Sequence, residues 1–132
     1  MRCTVDFGGF LLETDIVLMS DDEQDSDYNY ADIRLSSGNT DISSRIAVNE
    51  KAVSRFACDM ERLFRENYSY EPVSDVRAEL TDGRQYIAFE HDDTIDVLFT
   101  ARLYHNGTET EFSEYIPTLS IEKMVDALDL YR

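Results

Sequence analysis

The chain has 132 residues, 42% of them hydrophobic and 11% aromatic, a composition typical of a folded domain rather than of a disordered segment. This length fits a single domain, 1–132, whose core can be stable without disulfide bonds. The formal net charge of −16 argues against direct binding of nucleic acid or of an anionic membrane, and it favours a basic partner.

Turn residues and alternating apolar residues predict four strands in the first half of the chain: one that ends at Phe7, then about 10–19, 30–36 and 41–48. Two-residue loops at Gly8-Gly9 and Gly38-Asn39 close two hairpins. They pair Val5 with Leu12 and Leu35 with Ile42, so that apolar side chains meet on one face. The strand over 10–19 is apolar on both sides, which indicates a central position in its sheet.

A helix is predicted over about 50–66, where apolar residues recur at helical spacing after the capping residue Asn49. Cys58 lies beside this apolar stripe, and we expect a small buried side chain there. Both Cys58 and the distant Cys3 are expected to be reduced thiols. No apolar run suits a signal peptide or a membrane span, so a cytoplasmic protein without membrane contact is expected.

A further turn follows this helix. Asp82-Gly83 predicts a hairpin in which Val76 opposes Phe89. The next strand, 95–105, alternates between apolar and polar residues. Phe89 can oppose Val97 only if the loop between the two strands has an odd length or contains a bulge.

Asn106-Gly107 is the strongest hairpin signal of the chain, and it pairs Ala101 with Phe112 and Arg102 with Glu111. Continuing this register would point Glu114 towards the core. Either pairing ends or a bulge forms before Glu114, or a carboxylate points inward, and we expect the first.

The chain closes with a helix predicted over about 120–131, which Ser120 caps and which a contact between Leu119 and Met124 staples. The element order indicates an α+β fold. Its antiparallel sheet of about eight strands is made of consecutive hairpins, and the helices 50–66 and 120–131 pack on one face.

The acidic segment that precedes the third strand has the oxygen spacing of a calcium loop at Asp25, Asp27 and Asn29. However, Tyr30 stands where such a loop needs glycine, and Ser36 stands where it needs glutamate. A solvated loop is favoured, and no metal or cofactor is predicted.

Catalytic motifs are absent from the sequence. There is no nucleophile elbow, phosphate-binding glycine loop or zinc motif. His91 and His105, 14 residues apart, are read as exposed residues at strand ends. Carboxylates are abundant, but nothing singles out a catalytic pair, so we expect a protein that is not an enzyme.

The negative charge lies at the two ends of the chain. Residues 1–32 hold nine acids and one base, residues 85–132 hold ten acids and three bases, and the middle is nearly neutral. Tyrosines stand beside the acidic segments, a combination common at protein interfaces. The residues predicted to bind a partner are Asp21, Asp22, Glu23, Asp25, Asp27, Tyr28, Tyr30, Glu109, Glu111 and Tyr115.

Four segments carry a family resemblance: Val53–Phe64, Val76–Gly83, Val97–Phe99 and the helix from Leu119. In pattern, the stretch from about 30 to 131 resembles small immunity proteins of bacterial polymorphic toxin systems, especially those associated with wall-associated toxins. These families have a hairpin, a helix, a run of antiparallel strands and a closing helix. Ile116-Pro117-Thr118 departs from the polar lead-in expected there. The resemblance implies a non-enzymatic protein that masks a basic toxin or nuclease, and it assigns no binding residue.

Two alternatives remain open at this point. Only two lysines against ten arginines, together with 16 aspartates, fit a salt-adapted cytosolic domain. A small ligand-binding domain would instead need a pocket between sheet and helices, lined by Glu114, His91 or tyrosines.

Overall fold

A computed structural model describes residues 1–19, 28–66, 76–91 and 96–132. Within them the chain forms four strands, a helix, four strands and a helix, as the sequence predicted. The strands are β1 (Arg2–Asp6), β2 (Leu11–Leu18), β3 (Asn29–Ser37), β4 (Thr40–Ala47), β5 (Arg77–Thr81), β6 (Tyr86–His91), β7 (Asp96–His105) and β8 (Thr108–Pro117). The helices are α1 (Glu50–Glu66) and α2 (Glu122–Leu128), and 3-10 turns at Thr118–Ile121 and Asp129–Tyr131 flank α2.

The eight described strands form two sheets, so the prediction of one eight-stranded sheet was wrong. Sheet A has the order β1-β2-β3-β4 and sheet B the order β5-β6-β7-β8, and every pair is antiparallel. A helix is about 10 Å wide and strands lie about 4.8 Å apart, so one helix covers about two strands. Two helices on one face of an eight-stranded sheet would leave about half of that face in water. Instead, α1 packs on β5 and β6, and α2 packs on β1 and α1.

The registers of sheet A agree with the sequence. Val5 pairs with Leu12, and Leu35 pairs with Ile42. Strand β2 lies inside the sheet, as its apolar residues on both sides indicated.

In sheet B, two registers differ from the prediction by two residues. Ala78, rather than Val76, pairs with Phe89, and Phe89 pairs with Phe99 rather than with Val97. The first shift arises because the turn after β5 contains four residues. Asp82 Oδ1 accepts hydrogen bonds from the backbone N–H of Arg84 and Gln85, which stabilises this wider turn. A shift of two keeps every side chain on its predicted face.

The hairpin at Asn106-Gly107 has the predicted register, with Ala101 opposite Phe112. Both turn residues have positive φ, 52° and 77°, as a type I′ turn requires. Contrary to the prediction, pairing continues past Glu114 to Pro117. The half-buried Glu114 side chain faces inward against Gly9, where a Cβ would lie only 2.8 Å from the carboxyl carbon of Glu114. The missing side chain of Gly9 thus makes room for the carboxylate.

The closing helix is shorter than predicted. The chain leaves β8 through a 3-10 turn, so the α-helix begins at Glu122 and Ser120 does not cap it. The Ser120 hydroxyl instead donates to the carbonyl of Pro117 at 2.5 Å. Leu119 is 65% exposed and therefore provides no hydrophobic staple.

Helix α1 has its predicted bounds, and Asn49 caps it by accepting a 2.7 Å hydrogen bond from the N–H of Ala52. Cys58 is exposed, so the expectation of a buried side chain was wrong. It lies two positions after Phe56, about 200° around the helix from that buried residue. Cys3 is buried, and both cysteines are free thiols.

One hydrophobic cluster connects both sheets and both helices among the described residues. At its centre, Phe10 of the first hairpin stacks on Phe99 of β7, with 4.9 Å between ring centroids. Phe10 also contacts Phe7 and Phe112. The inner faces of the two sheets therefore share one core.

Gln85 joins the two sheets through its side chain, which is only 8% exposed. Its Nε2 donates to the carbonyl of Arg45 in β4 at 2.8 Å. Its Oε1 accepts from the N–H of Tyr104 at 2.9 Å and from the hydroxyl of Ser44. His105 adds a 2.9 Å contact between its Nδ1 and the carbonyl of Ser43. Strand β4 thus meets sheet B through side chains rather than through a strand ladder.

Candidate partner-binding face

The outer surface of sheet B, called the β5–β8 face below, gathers the residues whose side chains point away from the core. The strands of sheet B direct every second side chain outward, and the outer face carries tyrosines, Leu98 and charged residues. The β5–β8 face comprises Arg77, Glu79, Tyr86, Glu90, Leu98, Thr100, Arg102, Tyr104, Glu109, Glu111, Ser113 and Tyr115.

The exposed end of this face lies on β8. Tyr115 is 58% exposed and lies opposite the half-buried Leu98. Glu109 and Glu111 are exposed on the same strand. Three of the residues predicted to bind a partner therefore do lie together, on a paired strand that holds them in a fixed order.

Arg102 partly neutralises the two glutamates. Its guanidinium donates to Glu111 at 2.9 Å and lies 3.4 Å from Glu109. The hydrogen bond to Glu111 is the main cause that raises the pKa of Arg102, so this group stays charged. The hydroxyl of Tyr104 donates to Glu109 at 2.8 Å. These contacts orient the carboxylates, and the face keeps more glutamates than arginines.

A shallow depression of about 210 Å³ opens at the middle of this face. Tyr86, Thr100, Glu111 and Ser113 are among the residues that line it. The hydroxyl of Thr100 is buried and has no hydrogen-bond partner in the structure. Hydroxyl and carboxylate oxygens accept hydrogen bonds, so the depression can take the donor groups of a lysine or arginine side chain.

The other residues predicted to bind a partner do not join this face. Asp21, Asp22, Glu23, Asp25 and Asp27 lie outside the described residues. Tyr28, which is 49% exposed, and Tyr30 belong to the sheet A side. The Tyr30 ring lies under the guanidinium of Arg45, whose carbon is 3.6 Å from the ring centroid. The two sheets turn their outer faces away from a shared core, so these tyrosines and Tyr115 form separate surfaces.

The outer face of sheet A is crossed by ion pairs. Arg45 pairs with Asp32, and Arg34 pairs with Asp41 and Glu13. These contacts run between neighbouring strands and satisfy charges within the sheet. The hydrogen bond from Arg34 holds the pKa of Asp41 below its ordinary value.

Metal-binding groups do not gather in the described residues. No group of three or more histidine, cysteine or carboxylate side chains there is placed to hold a metal ion. His91 and His105 lie at the ends of β6 and β7, as predicted, but both are half-buried, so the expectation of exposed side chains was wrong. The Asn29 side chain accepts a hydrogen bond from the N–H of Met19 at 3.1 Å, so this member of the calcium-like spacing serves a strand end. None of the described helices is both long and apolar enough for a membrane span.

The core shared by the sheets and helices is filled by side chains, and a groove of about 500 Å³ opens at the surface between α1 and β5. Phe56, Phe89 and Phe99 are among the largest residues with less than 2% exposure. Glu114 faces inward, but its carboxylate occupies the space over Gly9.

Sequence reasoning missed Tyr86, Leu98 and Tyr104 as members of the same face. The signal was present, because the alternation that buries Val97, Phe99 and the later odd-numbered positions of β7 places the even-numbered ones outside. The registers then align Leu98 with Tyr115 and Tyr104 with Glu109.

The sequence matches no protein-family model, and no curated protein matches it either.

Proposed function

We propose that this protein is a non-enzymatic binding protein whose β5–β8 face covers a basic surface of a protein partner. The leading version of this proposal is an immunity protein that masks a bacterial toxin or nuclease. The observation that carries it is the grouping of Glu109, Glu111 and Tyr115 with further tyrosines on one sheet.

The physical chemistry of this face suits such a partner. Tyrosines provide rigid amphipathic contact area, and glutamates beside them attract lysine and arginine side chains. A net charge of −16 also accelerates the approach of a basic protein. The groove with which a nuclease binds its substrate is basic, so an acidic cover competes with that substrate.

The test begins with capture of partners from the native host by the immobilised protein. We expect a basic protein to be retained, and its toxicity on expression to be relieved by co-expression of the wild type. The triple variant E109K/E111K/Y115A should lose both effects. The matched control E122K/D126K reverses two exposed charges on α2 and should retain both.

Thr100→Val is the finer test of the same face. It removes a buried hydroxyl that has no partner, so stability should stay within about 0.5 kcal/mol or rise. Partner binding through Glu109, Glu111 and Tyr115 should be unchanged, because this hydroxyl has almost no exposed surface. Full relief of toxicity by the triple variant would refute the proposed face, whatever protein is captured.

A further inference from the structure

Side chains of other elements contact the backbone at two of the four sheet edges in the described structure, β1 and β4. At β1, the ammonium group of Lys123 donates to the carbonyl of Thr4 at 2.5 Å. At β4, the carbonyls of Ser43 and Arg45 are contacted by His105 and Gln85. At β5, helix α1 packs against the inner face of the strand, and an open groove of about 500 Å³ lies between α1 and Arg77, Glu79 and Thr81.

The fourth edge, β8, is ten residues long and has no such cover among the described residues. In a two-residue hairpin, the pair that flanks the turn, His105 and Thr108, exchanges hydrogen bonds. Alternation along the strand then directs the backbone groups of the odd-numbered residues away from β7. These residues are Glu109, Glu111, Ser113 and Tyr115.

No described residue donates or accepts a hydrogen bond at these outward backbone groups. The row from Glu109 to Tyr115 extends about 20 Å, given a rise of about 3.3 Å per residue. An open row of this kind is a template for another strand. The same residues carry the exposed side chains of the β5–β8 face, so a strand bound there would also contact Glu109, Glu111 and Tyr115.

The charge of β8 indicates which kind of strand can pair with it. The strand carries Glu109, Glu111 and Glu114 and no basic residue. Antiparallel pairing with a second copy gains no ion pair along this strand, and registers that set Glu109 or Glu111 opposite a glutamate are unfavourable. Glu114 adds an inward-facing charge, a device that discourages association between identical edges. A strand with lysine or arginine at alternating positions gains ion pairs instead.

We infer that β8 is a docking edge, to which an extended basic segment of a protein partner adds as the fifth strand of sheet B. This inference rests on the proposed function and deepens it, since it states how the partner binds. It also gives a role to the acidic residues on this open edge.

The test uses a fluorescein-labelled ten-residue peptide of alternating lysine and threonine as the probe, with binding followed by fluorescence anisotropy at 0.15 M salt. Ser113→Pro removes an outward N–H that the fold does not use, and the proline ring obstructs the edge. Ser113→Ala keeps this N–H and is the matched control. We expect S113P to bind about tenfold more weakly than S113A, since several ladder hydrogen bonds are lost together.

Amide exchange measured by NMR on the wild-type protein keeps the test valid if S113P fails to fold. With the peptide bound, the N–H groups of Glu111, Ser113 and Tyr115 should exchange more slowly, while those of the covered β1 edge should not change. The inference is overturned if S113P and S113A bind equally, or if the peptide leaves these exchange rates unchanged. It is also overturned if sedimentation shows a wild-type dimer that the peptide does not dissociate, because the occupant is then a second copy.

The two proposals fail separately. If E109K/E111K/Y115A loses the host partner while S113P retains it, the face binds a partner but the edge does not. If the host partner is bound by both variants, the face itself is refuted.

Discussion

Replacing Gln85 with alanine should destabilise the protein strongly, although the residue is polar and lies in a turn. Its side chain holds two backbone groups of different sheets, the carbonyl of Arg45 and the N–H of Tyr104. A buried backbone group that loses its partner costs about 1–3 kcal/mol. Two such groups lose their partner in this variant, and water that enters the space left by the side chain reduces the cost. We therefore expect the free energy of unfolding to fall by about 2–5 kcal/mol.

Urea unfolding, followed by far-ultraviolet circular dichroism because the chain has no tryptophan, measures this loss. Ser44→Ala is the control, since it removes one hydrogen bond to Gln85 but neither backbone partner. It should cost about 0.5–1.5 kcal/mol. In Q85A the amide of Tyr104 should also exchange faster than the other amides of β7. A loss for Q85A no larger than that for S44A would show that the two sheets do not depend on this side chain.

Two further outcomes are expected. Phe10→Ala should lower the free energy of unfolding by about 3–5 kcal/mol, because Phe10 is 3% exposed and stacks on Phe99 of the other sheet. Phe112→Ala, at a half-buried position, should cost less. Equal losses for the two variants in urea unfolding would contradict this expectation. Arg34→Ala should raise the pKa of Asp41 towards 3.8 in an NMR titration, and an unchanged pKa would refute the pairing. Because the folded-state pKa of Asp41 is lowered, its contribution to stability is present above the unfolded-state pKa and is lost as the pH falls through the folded-state value.

Local turn chemistry explains which parts of the fold could be predicted. A type I′ turn requires positive φ at both of its central residues, and Asn106 and Gly107 adopt it readily. This dipeptide therefore indicates the register that the structure has. Asp82-Gly83 gives an equally good local signal, but the turn there is widened to four residues. Gln85 at its end is buried by contacts with a strand 40 positions away, which a local pattern does not reveal.

The division into two sheets depends on how much area the helices cover, and the hairpins themselves do not specify it. The candidate site, too, could be predicted only as far as local patterns along the chain allow. Alternation along β8 grouped Glu109, Glu111 and Tyr115 correctly. That β8 is an open edge, whereas Lys123 and Gln85 contact the edges β1 and β4, could not be predicted, because these contacts join residues that are distant in the chain.

The order of the strands has a consequence for how the protein folds. Every strand in the described structure pairs only with its neighbour along the chain, so each sheet can form through short loop closures. The contacts that join the halves span far more chain, 40 residues for Gln85 with Arg45 and 119 for Lys123 with Thr4. Because longer loops cost more entropy to close, sheet A and sheet B should each form first, and the two sheets should pack against each other last. A φ-value near zero for Q85A would be the kinetic sign of this late docking.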